Sequence, residues 1–230
     1  MSTNPPFKTD FSSSIENLKT DKYNRFFAGL PNIPKKDKNS MAIYETFLQH
    51  AIASLSPRGK AAIVVPTGFV SASNGIPLKI RKHLVDNNWL RGVIHMPSNI
   101  FATTGTSVSI IFIDKTKSDD KVMLMDASNL GTKVSLEDGQ RTVLSNDEKT
   151  KITSFFKGRI QEPEFSVLVE KKQVEDNGYS VQAGQYVEIN LNELGYNVDE
   201  RIKELRKEIS ILLSSEIEKS LELINLIGDK

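Results

Sequence analysis

The chain has 230 residues, of which 38% are hydrophobic and 26% charged, a composition typical of a globular protein that can bury a sizeable core. Its longest apolar stretches, 61–66 and 110–113, fall far short of the roughly 18 residues that a membrane-spanning helix needs, which excludes such a helix. The N-terminus lacks the regions of a signal peptide, and the sequence contains no cysteine. Disulfides and thiolate metal sites are therefore excluded, and we expect a reducing, cytoplasmic setting.

The net charge of +1 conceals an asymmetry along the chain. Residues 1–94 hold 13 Lys and Arg against 6 Asp and Glu, whereas residues 95–230 hold 17 against 23. A basic segment attracts phosphate, but a surplus of this size also occurs on ordinary solvated surfaces. The charge alone therefore does not indicate nucleic acid, and a second, independent sign is needed.

The elements predicted before residue 130 alternate between helices and strands. Residues 8–40 are polar, with prolines at 31 and 34, which predicts a long irregular surface segment. Apolar residues then recur at helical spacing from Ser40 to Leu55, which predicts an amphipathic helix. The next predicted elements are a strand at 60–65, a loop at 68–75, a helix at 77–87, and strands at 90–95, 108–113 and 122–125. This order indicates an α/β sheet, and the connection at 96–106 is too short for a crossover helix, so the strand at 108–113 is expected to run antiparallel.

The rest of the chain is irregular except for its last segment. We predict a short helix at 147–156 and weak strands at 165–169 and 181–187. A long helix is predicted from Asn197, which forms a possible capping box with Glu200, to Gly228. Its apolar residues form one stripe on a helix about 48 Å long. The stripe includes Ile202, Leu205, Ile209 and Leu212. Such a helix either pairs with a partner's helix or folds back over its own domain, and both interpretations remain open.

The most informative motif is Asn4-Pro5-Pro6-Phe7. At about 5% usage per residue type, a given four-residue string arises by chance in such a chain with odds of about one in a thousand. One interpretation is an extended N-terminus without a chemical role. The other concerns adenine, whose exocyclic amino group is a poor nucleophile because its lone pair is delocalised into the ring. An Asn oxygen beside a backbone carbonyl held by two prolines supplies two rigid acceptors for the amino hydrogens, and an adjacent aromatic ring can stack on an extruded base.

The motif and the stretches after it resemble the methylation (M) subunits of type I restriction-modification systems, which are adenine-N6 DNA methyltransferases. Besides residues 4–7, the resemblance rests on FLQH at 47–50, GKAAIVVPTG at 59–68, IRKHL at 80–84, VIHMP at 93–97, Phe101, TGT at 104–106, IIFIDK at 110–115 and MDAS at 125–128. These stretches follow one another at the family's spacing over residues 4 to about 130. Residues 131–190 match only loosely, and the terminal helix matches in kind.

The resemblance implies S-adenosylmethionine as methyl donor and adenine in double-stranded DNA as acceptor. The side chain of Asn4 and the carbonyl of Pro5 would hold the amino group, Pro6 would set the turn, and Phe7 would stack on the flipped base. A separate specificity subunit would read the target sequence and pack on the long helix through Ile202, Leu205, Ile209 and Leu212. A restriction subunit is the other expected partner.

The predicted topology brings the motif and two loops to one edge of the sheet, where α/β proteins place their ligands. These loops follow the strands predicted to end at Val65 and His95. Candidate DNA contacts in them are Ser71, Asn74, Thr103 and Thr104. The resemblance to DNA methyltransferases is also the second, independent sign that the basic first part of the chain contacts nucleic acid.

The expected fold class is α/β: the C-terminal part of a Rossmann-like, S-adenosylmethionine-dependent methyltransferase sheet, plus a long C-terminal helix. Residues 1–130 are interpreted as the C-terminal half of the catalytic domain, 131–194 as a small mixed region, and 195–230 as an amphipathic helix for subunit assembly. In the family, the donor site is a strand and Gly-rich turn before Asn-Pro-Pro-Phe, followed by an acidic residue that binds the ribose. Only three residues precede Asn4, so we expect the donor motif and the strand ending at Asn4 to be missing, and the chain alone to be inactive.

A second class of function remains open, a non-catalytic assembly module that docks a helical partner. Other catalytic chemistries find no support in the sequence. The three histidines have no metal-ligand spacing, so no metal is expected. No nucleophile elbow and no phosphate-binding Gly-Lys-Ser/Thr is present either.

Overall fold

The computed structural model describes residues 1–101, 107–136, 139–186 and 198–228. They divide into two units, 1–187 and 188–230. The strands are β1 (Ser2–Thr3), β2 (Lys60–Pro66), β3 (Leu90–His95), β4 (Val108–Asp114), β5 (Lys121–Asp126), β6 (Thr132–Leu136), β7 (Gly139–Val143) and β8 (Ser166–Glu170). The helices are α1 (Ile15–Lys19), α2 (Ile43–Ser54), α3 (Gly68–Ser71), α4 (Gly75–Asp86), α5 (Asn146–Gly158), α6 (Lys171–Asp176) and α7 (Val198–Gly228).

The first unit is built around a six-stranded mixed sheet in the order β1-β2-β4-β3-β5-β8. β1 runs parallel to β2 and β3 parallel to β5, whereas β4 is antiparallel to both of its neighbours. The antiparallel direction predicted for β4 is therefore confirmed. Because β2 and β3 both oppose β4, strands β1, β2, β3 and β5 all end at one edge, which we call the carboxyl edge. β6 and β7 form a separate hairpin.

The two faces of the sheet carry different cores because successive strand residues point to opposite sides. On one face, Ile63 and Ile111 pack with Leu48 of α2 and Leu84 of α4. The other face packs against α5, and its buried residues are Ile94, Met123, Met125, Ala127, Leu144, Ile152 and Phe165. The close packing on this face requires Gly92 in β3, where an added Cβ would lie 2.7 Å from the ring of Phe156. Helices on both faces of a mixed sheet confirm the predicted α/β class.

Three sequence predictions need correction. Residues 181–186 do not form a strand, although Val181 and Ala183 are buried in the alternating way that suggested one; residues 183–185 form a 3-10 turn, and residue 187 lies outside the described ranges. Residues 68–71, predicted as loop, form the single helical turn α3. Finally, the strand expected to be missing before Asn4 is present as β1, because Ser2 and Thr3 pair with β2.

In the second unit the structure describes α7, whose 31 residues confirm the long terminal helix. Four stripe residues are exposed within this unit: Ile202 (42%), Leu205 (41%), Ile209 (55%) and Leu212 (68%). The proposed cap residue Asn197 lies outside the described residues. No helix in the described part of the chain is long and apolar enough to span a membrane.

Candidate functional site

The Asn-Pro-Pro-Phe motif begins where β1 ends, at the carboxyl edge. The pairing of β1 with β2, including a 3.0 Å bond from the Ala62 amide to the Met1 carbonyl, fixes this position. Asn4 and Pro6 are exposed, whereas Pro5 is buried. Within the described ranges the Asn4 side chain makes no hydrogen bond, so its oxygen is available to an incoming ligand. The two prolines cannot donate ladder hydrogen bonds, which ends the strand at this point.

Phe7 is held by two further aromatic rings. Its ring meets Tyr44 edge-on with centroids 6.3 Å apart, and Tyr44 meets Phe69 of α3 in the same way, also at 6.3 Å. Tyr44 and Phe69 are buried, and Phe7 is half-buried. Edge-to-face pairs restrict ring orientation as well as contributing apolar burial. Phe7 is therefore a positioned ring that still has surface available for stacking.

Glu45 is a buried carboxyl directly after the tyrosine that supports Phe7. It is 8% exposed, and the Tyr44 hydroxyl lies 3.4 Å from its Oε1. Burial raises the pKa of Glu45 to about 7, because the charged form loses hydration. Burial and the Glu45 charge together raise the pKa of Tyr44. Sequence reasoning missed Glu45, although an acidic residue beside Leu48 and Ile52 on the apolar side of a predicted helix was a usable signal.

Gln49 anchors the irregular segment that follows the motif. Its fully buried amide accepts a 2.8 Å hydrogen bond from the Ala28 amide and donates to the Gly29 carbonyl at 2.9 Å. These bonds replace regular secondary structure in holding residues 28 and 29 against α2. Gln49 belongs to the FLQH stretch noted in the sequence, and the structure gives it a positioning role.

Arg81 of α4 fixes the loop that follows β2. This side chain is 1% exposed and donates to the carbonyls of Phe69 and Ala72, and to that of Tyr179 at 2.8 Å. Burial lowers the pKa of Arg81 to about 10. The loop and the segment around Tyr179 are thereby tied to one guanidinium group. Sequence analysis noted the stretch containing Arg81 without assigning it this role.

Two of the four candidate DNA contacts lie in this loop. Ser71 ends α3 and Asn74 precedes α4, and both are exposed beside the carboxyl edge. Thr103 and Thr104 lie outside the described residues. The assignment of all four to DNA stays a prediction.

A small cavity lies at the carboxyl edge. The cavity at the ends of β2, β3 and β5, lined by Thr67, His95 and Asp126 among others, has a volume of about 90 Å³. Small-molecule sites usually measure about 300–1,000 Å³. This cavity alone is therefore too small for S-adenosylmethionine. No group of three His, Cys, Asp or Glu residues that could hold a metal ion occurs in the part of the chain that the structure describes.

Comparison of the chain with known proteins identifies its family. Residues 1–193 match the family described as N-6 DNA methylase. The chain belongs to this family. The sequence is 28% identical over 223 residues to the type I restriction enzyme MpnII methylase subunit of Mycoplasma pneumoniae, covering 92% of this chain and 39% of that protein. It is also 28% identical over 239 residues to the MjaIX methylase subunit of Methanocaldococcus jannaschii, covering 98% of this chain and 41% of that protein.

The fold is also similar to that of a solved methyltransferase subunit. The type I restriction-modification methyltransferase subunit from Streptococcus thermophilus superimposes with a TM-score of 0.65 at 24% identity, covering 81% of this chain and 37% of that one. The resemblance read from the sequence is thus confirmed at the level of family and fold. This N-6 DNA methylase chain spans about two fifths of the length of the curated relatives it matches.

Proposed function

We propose that this chain forms part of a type I modification subunit that methylates the N6 of adenine in double-stranded DNA. The observation that carries the proposal is the placement of the motif. Asn4 has an unengaged side chain at the carboxyl edge, Pro5 is buried beside it, and Phe7 is a positioned, half-exposed ring. Family membership supports a DNA methyltransferase, and the motif's geometry supports adenine as its target.

The residues of the motif act on an adenine that has left the duplex. The Asn4 side-chain oxygen and the Pro5 carbonyl accept hydrogen bonds from the two hydrogens of the amino group, which draws the nitrogen lone pair out of conjugation with the ring. Phe7 stacks on the base and replaces part of the stacking lost on extrusion. The Tyr44 and Phe69 rings keep Phe7 in position during this step.

The methyl donor in this proposal is S-adenosylmethionine, bound in the complete subunit by a Gly-rich motif that this chain lacks. The small cavity at the carboxyl edge and the lack of a Gly-rich turn after β2 support this proposal. Consequently the 230-residue chain by itself is proposed to be inactive. We also place the enzyme in the cytoplasm, where its DNA substrate is accessible.

Helix α7 is the proposed assembly surface for the specificity subunit, with a restriction subunit completing the system. Its stripe of Ile202, Leu205, Ile209 and Leu212 is exposed within the unit that α7 forms. Exposed apolar residues at helical spacing favour burial against another helix. Double-stranded DNA is proposed to contact Ser71, Asn74, Thr103 and Thr104 in the loops at the carboxyl edge.

The decisive experiment places Asn4→Ala in a complete modification subunit that contains this chain, assembled with its specificity subunit. Transfer of labelled methyl groups to DNA is expected to be lost while the complex still assembles. Asn17→Ala, an exposed substitution in α1, is the matched control and retains transfer. Unchanged transfer in the Asn4 variant would contradict the proposal and favour the alternative, an assembly module that acts through α7 without a catalytic role.

A further inference from the structure

A cleft with a volume of about 570 Å³ lies beside the candidate active site, between the segment 28–42, α2 and the start of α4. Its volume falls in the range of about 300–1,000 Å³ that is usual for small-molecule sites. The larger apolar residues that line it are Leu30, Pro31, Pro34, Met41, Ile76 and Pro77. Three of these residues are prolines, whose rings give rigid surfaces that suit a planar ligand.

The buried carboxyl of Glu45 lines this cleft. In the part of the chain that the structure describes, Glu45 forms no salt bridge, and Tyr44 offers one hydroxyl at 3.4 Å. A buried carboxyl that lacks strong hydrogen-bond donors is unfavourable, and donors from a ligand would relieve that cost. The cleft therefore fits a ligand with N–H groups at one edge.

The rim of the cleft is basic. Lys79 and Asn74 line the cleft, and the segment that forms one wall carries exposed Lys35, Lys36 and Lys38 against the single acid Asp37. None of these four lysines forms a salt bridge with another described residue. Positive charge at the rim favours a ligand that carries phosphate and disfavours a cationic peptide or amine.

We propose that this cleft binds an unpaired DNA base other than the target adenine, with Glu45 accepting hydrogen bonds from the N–H groups on the base edge. The proposal rests on the proposed function. Continuity with the adenine site supports it, since Tyr44 contacts Phe7 and the next residue, Glu45, lines the cleft. The proline walls pack on the faces of the base, and Lys79 pairs with a neighbouring phosphate.

Guanine is the base that matches this arrangement best. Its N1–H and N2–H donors lie side by side and meet the two oxygens of one carboxylate, as in other bidentate contacts to base edges. Thymine presents a single N–H between two carbonyl oxygens. These oxygens carry partial negative charge, so a carboxylate repels them. The cleft is therefore expected to discriminate guanine from thymine through Glu45.

The test is made at pH 8, where the Glu45 carboxyl is largely ionised. It measures fluorescence anisotropy of the 230-residue chain with two fluorescein-labelled heptamers, one of thymidine only and one with a central guanosine. The guanine heptamer is expected to bind about tenfold more tightly, within the range of one bidentate base contact. Glu45→Gln is expected to bring the ratio close to one, whereas Glu16→Gln, an exposed carboxyl on α1, leaves it unchanged. Lys79→Ala is expected to weaken the binding of both heptamers equally, which preserves the ratio of their affinities.

Equal affinity of the two heptamers for the unaltered chain would overturn the proposal, as would a ratio that Glu45→Gln does not change while its far-UV circular dichroism matches that of the parent chain. Free dGMP that competes at the concentration of the oligonucleotide would overturn the assignment to DNA, and failure to compete supports it. Asn4→Ala keeps the heptamer ratio. Failure of the methylation proposal is thus distinguishable from failure of this one.

Discussion

Glu45→Gln is expected to change how the stability of the sheet unit depends on pH. Burial raises the pKa of this carboxyl from the ordinary 4.5 to about 7 in the folded protein. Since the folded pKa lies above the unfolded one, its stabilising contribution is fully present below pH 4.5 and is lost as the pH rises through 7. A rise of this size corresponds to about 3 kcal/mol of unfolding free energy. Glutamine stays neutral throughout, so the variant does not lose this contribution.

Urea unfolding followed by the fluorescence of Trp89, the single tryptophan, measures this difference at pH 5, 6, 7 and 8. Relative to the parent chain, the glutamine variant is expected to gain about 2.5 kcal/mol in unfolding free energy between pH 5 and pH 8, because part of the full change falls below pH 5. Tyr44, whose hydroxyl lies 3.4 Å from Glu45, stays neutral in this range because its pKa is raised, and Lys79 lines the same cleft. Glu16→Gln is the control and shows no such trend. Parallel pH profiles for Glu45→Gln and the parent chain would refute the argument that burial controls this carboxyl.

Three further outcomes are expected. Arg81→Met leaves the carbonyls of Phe69, Ala72 and Tyr179 without their donor, so urea unfolding is expected to show that the free energy of unfolding falls by about 3 kcal/mol. The control, Arg91→Met at a partly exposed residue, is expected to lose less than about 1 kcal/mol. Equal losses would contradict the positioning role of Arg81. Replacing both Leu205 and Leu212 by Asp is expected to abolish the complex with the specificity subunit on gel filtration without unfolding the sheet, and an intact complex would exclude the helix as the docking surface. Calorimetric titration of the 230-residue chain with S-adenosylmethionine is expected to show no micromolar binding. Micromolar binding would refute the proposal that the chain lacks the donor motif.

The strands of the sheet were predictable because burial on both faces leaves nearly continuous apolar runs. Lys60–Pro66 and Val108–Asp114 are such runs, and the short connection before the second of them was enough to predict its antiparallel direction. The segment at 181–186 misled the prediction because two buried residues two positions apart imitate a strand. Its path depends on a long-range bond from the Val181 amide to the Val70 carbonyl, which sequence spacing does not reveal.

The candidate site was predictable where chemistry is encoded in a contiguous motif, and less so where it depends on tertiary contacts. Asn4 and Phe7 stand out in the sequence itself. Glu45 and Arg81 were missed because charged residues on helices are usually exposed, and their burial depends on neighbours distant in the chain. The cleft beside Glu45 also depends on such contacts, because the hydrogen bonds of Gln49 hold the irregular segment that forms one of its walls.

The central claim is that Asn4 and its neighbours direct a methyl group to the N6 of adenine. Mass spectrometry of nucleosides tests it most directly, on DNA treated with a complete modification subunit that contains this chain, its specificity partner and S-adenosylmethionine. The expected result is N6-methyladenine as the modified nucleoside, and none with Asn4→Ala. Methylated cytosine, or N6-methyladenine that persists in the Asn4 variant, would contradict the claim.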